Sequence, residues 1–439
     1  MKTTRPAARF SATVCLLLVA AECGAQSPST AEPLFRVLPD SVRLILSPAL
    51  SQRTVAISVM VRMPEDETPL DNATGALVAK SLFNGSQNTP REMAESAISE
   101  VGGDIETLRL PDRVCITCVT LPALLPDAIH LICESIKNAE FAPDALARAR
   151  RAASTGSASP AGSFDDAYDA SATRLKGGTI PDASWLRHVD TRAARAYFLQ
   201  RYVPSRTVIA VAGRFDTETV ERRISDELVD FTRTPPRYPG LGISTSWTAG
   251  DLPLRRISAT SPSSFAMIGV PAPASGTGDY PAFLVLASLL ADGHASRLFV
   301  SVRERLGLAY EAGELFRSER GDPLVLYVGL ASRKDSGERA DQALKLIDRE
   351  LDLISTTAPS AEETARARQV AITRCLERHE RSRDRAFLLA WYESAGPGAS
   401  YDNLLLKQIA QVRPEDIVHT AHRYLGTRSR VQALPLAPR

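Results

Sequence analysis

Hydrophobic and polar positions follow the same order of patterns in two parts of the chain. Each part begins with an apolar, β-branched run typical of a buried strand and continues with an apolar helix. A second strand pattern and a long amphipathic helix come next, the helix marked by apolar residues at helical spacing. The predicted strands cover residues 55–61 and 114–121, then 264–270 and 324–330, and the amphipathic helices cover 126–138 and 336–355.

Two short sequence matches support an internal repeat. Residues 76–85, ALVAKSLFNG, resemble residues 284–293, LVLASLLADG, at an offset of 293 − 85 = 208. Residues 146–150, LARAR, are echoed by TARAR at 364–368, at an offset of 364 − 146 = 218. The agreement in order and offset predicts two homologous domains in tandem. We expect the glycine at the end of each matched ten-residue segment to occupy the C′ position, just beyond the end of a helix.

Strands and helices mix in this sequence without strict βαβ alternation. We therefore expect an α+β fold, in which each domain is a mostly antiparallel sheet packed with helices. The two domains are predicted at residues 34–235 and 250–439, joined by a linker rich in proline and glycine that starts at residue 234. Small residues at 154–163 predict a flexible surface loop inside the first domain.

The first residues form a different kind of segment. Lys2, Arg5 and Arg9 precede an apolar run at 14–21, and small residues follow up to Ala25. This order is typical of a secretory signal peptide, so we expect residues 1–25 to be removed and the protein to be exported, most simply to a bacterial periplasm.

The alternative at this end of the chain is a lipid anchor through Cys23. Glu22 disfavours it, because such processing prefers a small residue before the cysteine. Removal of the signal peptide takes away three cations and one anion, so the formal charge changes from +1 to 1 − 3 + 1 = −1.

The bulk properties are those of an ordinary globular protein. The chain has 439 residues, 44% of them hydrophobic and 23% charged, which is enough for two domains with sizeable cores. A net charge near zero gives no electrostatic reason to expect nucleic acid as a partner. No later apolar run is long enough to span a membrane.

Cys115 and Cys118 have the spacing of a zinc-binding or redox pair. However, they lie in a predicted strand, where residues three apart point to opposite faces of the sheet. A second pair that could complete a tetrahedral site is missing from the sequence. We therefore predict that both are buried structural thiols.

The usual catalytic motifs are missing from the sequence. It contains no Gly-x-Ser-x-Gly elbow, no phosphate-binding glycine-rich loop, and neither His-Glu-x-x-His nor His-x-x-Glu-His. Among the six histidines, only His419 and His422 share a helix turn. A solvated helix face is the better interpretation of that pair.

Two segments of the second half, DGHASRLF at 292–299 and VRERLGLAY at 302–310, closely resemble a signature of the pitrilysin/insulinase metallopeptidases. The first half agrees in order. Its matching segments are LFNGS at 82–86, EVGGD at 100–104, ALARARR at 145–151 and VIAVAG at 208–213. The resemblance covers nearly the whole chain after the predicted signal peptide and implies that each domain is half of a clamshell.

Active members of that family carry an inverted zinc motif, His-x-x-Glu-His, with both histidines on one helix face. Aligned on LFNGS, these roles fall on Ala76, Ala79 and Lys80, and the distal glutamate ligand falls near Gly156. None of these residues can act as required, so the resemblance implies that this chain holds no zinc and does not hydrolyse peptides alone. We also hypothesise that Lys80 fills part of the vacated site and offsets acidic neighbours.

The second half retains a different pair. Related active proteases hold the substrate with an arginine and a tyrosine separated by six residues, and Arg303 and Tyr310 match that spacing. Both side chains donate hydrogen bonds, so both suit a peptide carbonyl or a developing oxyanion.

Some bacterial members divide the work between a zinc-bearing chain and a chain with the Arg/Tyr pair. The resemblance therefore implies a non-catalytic, substrate-binding subunit that pairs with a zinc-bearing homologue and acts on unfolded peptides. A structural or assembly subunit and a stand-alone peptide-binding chaperone are the alternatives. Neither needs the zinc-bearing partner.

Overall fold

The computed structural model describes residues 32–64, 67–102, 105–110, 112–155, 164–175, 183–234, 247, 250–259, 264–304, 309–317, 322–330 and 336–435. The chain from residue 32 onward forms one compact unit. The predicted signal peptide and nearly all of the predicted linker, residues 235–240, lie outside the described residues. The two domain boundaries therefore stay a prediction.

A six-stranded mixed sheet forms the centre of the first half. Its strands are β1 (Leu34–Val37), β2 (Arg43–Pro48), β3 (Val55–Arg62), β4 (Ile105–Leu110), β5 (Arg113–Thr120) and β6 (Thr207–Gly213). Their order across the sheet is β1-β2-β6-β3-β5-β4. Only the β2–β6 pair is parallel among these strands, and the other pairs are antiparallel.

A second mixed sheet repeats this arrangement in the second half. Its strands are β7 (Leu252–Ala259), β8 (Ser264–Val270), β9 (Ala309–Leu315), β10 (Leu324–Leu330) and β11 (Ser429–Pro435), in the order β7-β11-β8-β10-β9. The β7–β11 pair is parallel and the remaining pairs are antiparallel. Strand for strand, this order and sense match β2-β6-β3-β5-β4, as the sequence repeat predicts.

Helices pack on both sheets. They are α1 (Pro69–Ser81), α2 (Arg91–Glu100), α3 (Leu125–Asn138), α4 (Pro143–Thr155), α5 (Phe164–Leu175), α6 (Ala183–Leu186), α7 (Thr191–Arg201), α8 (Thr217–Leu228), α9 (Tyr280–Ala291), α10 (Arg297–Phe299), α11 (Ser336–Thr356), α12 (Ala361–Glu380), α13 (Ser382–Ala395), α14 (Tyr401–Ala410) and α15 (Pro414–Tyr424). A π-helical segment, Val300–Glu304, follows α10. None of the helices in the described residues is both long and apolar enough to cross a membrane. The predicted α+β class with mostly antiparallel sheets is confirmed.

Two helices pack against the sheet of the opposite half. Helix α13, from the second half, lies on β3 and β6 of the first sheet. Helix α5, from the first half, lies on β8 and β11 of the second sheet. Both contacts use small side chains at the interface, such as Ala386 of α13 with Ala56 and Ala212 of the first sheet. Each sheet is therefore covered on one face by its own half and on the other by a helix of its neighbour.

The local predictions agree closely with the structure. Strands β8 and β10 occupy the predicted residues, and α3 and α11 begin and end within one residue of their predicted bounds. Cys115 and Cys118 lie on β5, are buried and not joined in a disulfide, and belong to different hydrophobic clusters on opposite faces of the sheet. His419 and His422 are exposed on α15. These predictions are confirmed.

Two local predictions were wrong in detail. Helix α4 continues to Thr155, so Ser154 and Thr155 belong to a helix rather than to the predicted loop, whose remaining residues lie outside the described part of the chain. Gly85 has a positive φ but lies four residues beyond the end of α1, whereas Gly293 follows the C-cap of α9 as predicted. Helix α1 ends at Ser81, with Leu82 as its C-cap.

Candidate functional site

Helix α1 carries three of the four residues at the degenerate zinc positions. It begins at Pro69 because Thr68 caps it: Thr68 Oγ1 accepts a hydrogen bond from the Asp71 amide at 3.1 Å, and Asp71 Oδ2 accepts one from the Thr68 amide at 3.1 Å. This reciprocal capping box satisfies two amides that the first helical turn leaves without a partner. The cap sets where the helix starts, so Ala76, Ala79 and Lys80 fall in its last two turns.

The degenerate positions divide between the core and the surface. Ala76 is partly buried and Lys80 is exposed, and their spacing of four residues places them on one face of α1. Ala79 is only 3% exposed and packs into the core of the first half. Two methyl groups and an ammonium offer no lone pair to a metal at neutral pH, so this helix does not fit zinc.

The hypothesis that Lys80 offsets acidic neighbours is wrong. Lys80 is exposed, and it forms no ion pair within the described part of the structure. Its position in the last turn of α1 explains this outcome. A cation there interacts favourably with the negative end of the helix dipole and remains hydrated, so it does not need a carboxylate partner.

Gly156, the position matched to the distal ligand, lies outside the described residues. Among the residues that are described, no group of three or more His, Cys, Asp or Glu side chains is arranged so that it could hold a metal ion.

A buried ion cluster lies beneath α1, and the sequence patterns did not predict it. Its centre is Glu67, whose side chain is 2% exposed and forms an ion pair with Arg109 of β4. Tyr197 of α7 donates a hydrogen bond to Glu67 Oε1 at 2.6 Å, and the Nε of Arg201 lies 3.6 Å from the same oxygen. Burial raises the pKa of Tyr197, and Glu67 adds to this effect, so the phenol stays protonated as a donor.

Gly75 allows α1 to approach this cluster closely. A Cβ added at Gly75 would lie 2.5 Å from the Oη of Tyr197 and 3.1 Å from the Nε of Arg109. The helix position directly before Ala76 is therefore in contact with the cluster. The cluster ties α1 to β4 and α7, so the helix that would carry the metal in an active relative is held in place by a carboxylate, two guanidinium groups and a phenol.

Arg303 and Tyr310 both lie at irregular points of the backbone. Arg303 belongs to the π-helical segment Val300–Glu304, and Tyr310 is the second residue of β9. In the pairing of β9 with β10, Glu311 lies opposite Gly329 and Ala309 lies opposite Leu330, so Tyr310 is the extra residue of a β-bulge. Both kinds of irregularity occur often at functional sites, where a bulge can redirect a side chain. The side chains of Arg303 and Tyr310 lie outside what the structure describes.

The residues around this pair hold the π-helical segment to two long helices. Arg297 forms two hydrogen bonds with Glu363 of α12, at 2.7 and 3.0 Å. The Arg297 guanidinium keeps the pKa of Glu363 below its usual value. Ser301 donates to Glu350 of α11 at 2.7 Å in a buried site. The conspicuous arginine of the SRLF motif is therefore a structural residue of this chain.

The two groups of predicted residues have different surroundings. Helix α1 packs mainly against α4, α6 and α7, whereas the π-helical segment packs mainly against β9 and α10. The structure thus places Ala76 with Lys80 on one helix face and Arg303 near the strand that carries Tyr310.

Part of the chain matches a known family of protein domains. Residues 189–370 match the family model described as the peptidase M16 inactive domain. This part of the chain is similar to the M16 peptidases. The resemblance to the pitrilysin/insulinase family, which the sequence motifs predict, is thereby confirmed, and the matched domain is of the inactive type.

Relatives of similar length carry the name of zinc proteases. The chain is 27% identical to an uncharacterised zinc protease of Streptomyces coelicolor, with 89% of this chain and 87% of the relative covered. It is also 27% identical to an uncharacterised zinc protease of Mycobacterium tuberculosis, with 76% of this chain and 75% of the relative covered.

Solved structures share the fold at low sequence identity. A protease from Helicobacter pylori superposes with a TM-score of 0.77 at 14% identity, covering 92% of this chain and 99% of the other. A peptidase M16 inactive domain from Pseudomonas fluorescens superposes with a TM-score of 0.76 at 16% identity, covering 93% and 100%. This chain therefore shares their architecture over almost all of its length.

Proposed function

We propose that this chain is a non-catalytic, substrate-binding subunit of a heteromeric zinc metalloendopeptidase that acts on unfolded peptides. The observation that carries the proposal is the composition of the exposed face of α1. Ala76 and Lys80 occupy the positions where two zinc-binding histidines would share one helix face, and neither can bind the metal. The match to an inactive M16 domain supports the same conclusion.

In this proposal, Arg303 and Tyr310 hold the peptide. A guanidinium and a phenol both donate hydrogen bonds, so together they bind a carbonyl oxygen and favour the negative charge that develops on it during hydrolysis. Arg303 lies on a π-helical segment and Tyr310 at a β-bulge. This placement supports the role, because such backbone irregularities occur often at functional sites, where they redirect side chains.

The proposed partner is an M16 homologue with an intact His-x-x-Glu-His motif. Relatives of this chain are named zinc proteases, which makes a zinc-bearing chain of the same fold a reasonable companion. The zinc ion of the active complex is proposed to belong to that partner alone.

Both chains are proposed to be exported to the periplasm, with the lipid anchor through Cys23 as the alternative. Cell fractionation and mass spectrometry of the mature N-terminus distinguish these outcomes.

The test is reconstitution. We expect this chain to co-purify with the zinc-bearing homologue and to raise its cleavage of an unfolded peptide. Arg303→Ala and Tyr310→Phe are each expected to lower kcat/KM of the complex by on the order of 10-fold to 100-fold, because each removes a donor to the reacting carbonyl. Arg366→Ala is the matched control, since Arg366 is exposed and forms an ion pair with Glu362 on its own helix.

Two results would overturn the proposal. Stoichiometric zinc in the isolated chain would contradict the assignment of the metal to the partner. Unchanged turnover in both the Arg303 and Tyr310 variants, with the complex intact, would contradict the substrate-binding role. In that case an assembly subunit would be the better interpretation.

A further inference from the structure

A cavity of about 360 Å³ lies within the second half. It is bounded by α9, α12, α13, α14 and the end of β9. Its apolar walls include Tyr280, Leu284, Phe316, Leu388 and Tyr392. The rest of its lining is mostly charged or polar and includes three arginines, Arg374, Arg378 and Arg381. A cavity of this size can hold a small molecule.

The internal repeat relates this cavity to the degenerate zinc positions. With the offset of 208 residues, Ala76, Ala79 and Lys80 correspond to Leu284, Ala287 and Ser288. All three of these α9 residues line the cavity. The face of α1 that ends at an exposed lysine in the first half thus corresponds to one wall of this cavity in the second half.

Glu314 supplies an unsatisfied carboxyl group to the cavity. It belongs to β9 and lines the cavity, and its Oε2 is buried without a hydrogen-bond partner among the described residues. A buried carboxyl oxygen without a partner is unusual and costly. Burial, and then the neighbouring Asp292, raise the pKa of Glu314 to about 8, while Arg374 acts in the opposite direction.

The nearest arginine is engaged elsewhere. Arg374 donates two hydrogen bonds to Asp292, at 2.8 and 2.6 Å, and a third to Glu377 at 3.1 Å. Within the described part of the chain, Asp292 therefore has a cation as its partner and Glu314 does not. Glu314 is thus the carboxyl group at this end of the cavity that can accept a further cation.

The other end of the cavity carries a histidine and a carboxylate that are already in contact. His379 lies 2.9 Å from Asp402, through its Nε2 and the Oδ1 of the carboxylate, and Asp402 also forms an ion pair with Arg385. Burial, followed by the charges of Arg385 and Arg378, lowers the pKa of His379 to about 4. The neutral imidazole therefore donates from Nε2 to Asp402, and this carboxylate already has a cation, Arg385, beside it.

We propose that the cavity binds a small primary amine on an apolar stem, with its ammonium group on Glu314 and its stem between α9 and α13. An ammonium donates up to three hydrogen bonds to acceptors, and an ionised carboxylate is an acceptor only. An anion would meet the carboxylate of Glu314, and a purely apolar ligand would leave the carboxyl oxygen unsatisfied. This site is independent of the proposed role of Arg303 and Tyr310.

The test uses benzylamine as the probe and benzyl alcohol as its neutral counterpart. With the full-length mature chain, isothermal titration at pH 8 is expected to show saturable binding of benzylamine and at least tenfold weaker binding of benzyl alcohol. Glu314→Gln should reduce benzylamine affinity at least tenfold, because it removes the negative charge and keeps the shape. Near-UV circular dichroism establishes that the variant is folded.

Glu311→Gln is the matched control. Glu311 is on the same strand, is exposed, and accepts a hydrogen bond from Tyr327 at 2.7 Å, but it does not line the cavity. It should bind benzylamine as the wild type does. Equal binding of the amine and the alcohol, equal affinities in the wild type and Glu314→Gln, or no saturable binding up to about 10 mM would each overturn the proposal.

Discussion

The guanidinium carbon of Arg113 lies 3.8 Å from the ring centre of Trp391. Arg113 is the first residue of β5 and Trp391 belongs to α13, so this stacked pair joins the first sheet to a helix of the second half. Arg113 is 1% exposed, and its Nη1 donates to the Oγ of Ser394 at 2.6 Å. Burial acts to raise the pKa of Asp112, but the adjacent Arg113 outweighs it, so that carboxyl has a pKa below its usual value.

Replacement of Arg113 with Met should destabilise the fold. The variant loses the cation–π contact and the hydrogen bond to Ser394 and leaves Asp112 without its cation, so we expect a loss of about 2–4 kcal/mol in the free energy of unfolding. Urea unfolding measures the change. Arg36→Ala is the control, because Arg36 is exposed with one ion pair to Glu221, and it should cost about 0.5 kcal/mol or less. A similar loss in both variants would contradict a special role for the Arg113–Trp391 pair.

The packing of α5 on the second sheet depends on Gly269. A Cβ at this position of β8 would overlap the Oγ of Ser171 and lie 3.0 Å from the Cδ1 of Leu175. Gly269→Ala should therefore cost about 1–3 kcal/mol. Ser171→Ala removes the overlapping oxygen, so the double variant should recover part of that loss.

A thermodynamic cycle over these two sites measures the coupling. Gly278→Ala is the control for the backbone effect, because nothing lies within 4 Å of its added Cβ and its φ is not in the left-handed region. If Gly269→Ala costs no more than Gly278→Ala, α5 does not approach β8 as closely as the structure indicates.

Glu314 should make the protein less stable as the pH rises. Burial, and then Asp292, raise its pKa from the ordinary 4.5 to about 8 in the folded state, while Arg374 acts in the opposite direction. Between these values the folded state holds a proton that the unfolded chain has lost, so the stability contribution of this group falls as the pH rises from 4.5 to 8. Relative to wild type, Glu314→Gln should gain on the order of 2–4 kcal/mol between pH 5 and pH 8. Unfolding curves at both pH values measure it, and a constant difference would contradict the assigned pKa.

The shared face of Ala76 and Lys80 can be tested by introducing a metal site. Histidines four residues apart on one helix face can bind one zinc ion together. In the double variant Ala76→His with Lys80→His, zinc should therefore raise the melting temperature, whereas it should have no such effect on the wild type. Histidines at Ala76 and Leu77 form the control pair, because Leu77 is buried on another side of the helix. Equal zinc effects in both variants would contradict the assigned orientation of α1.

Some features of this fold follow from local sequence alone. The strands at 264–270 and 324–330 form where the apolar, β-branched runs predict them, because these runs can bury both faces of a central strand. Cys115 and Cys118 diverge because of the two-residue period of any strand. The internal repeat also predicts that the two halves share one topology, and the matching strand orders agree with it. The chemical character of Ala76, Ala79 and Lys80 needs no structure at all, since it depends on the residue types.

Other features required the tertiary structure. An amphipathic or small-residue face does not specify which sheet it will cover, so the sequence could not assign α13 to the first sheet or α5 to the second. Glu67, Arg109 and Tyr197 are far apart in the chain and meet only because β4 and α7 pack around the start of α1. Lys80 fits either a vacated site or a hydrated helix end by its residue type, and only its exposure distinguished them. Glu314 belongs to a strand pattern that reveals no function, and it became a candidate ligand-binding group because α9 and α12 enclose it beside an arginine already paired with Asp292.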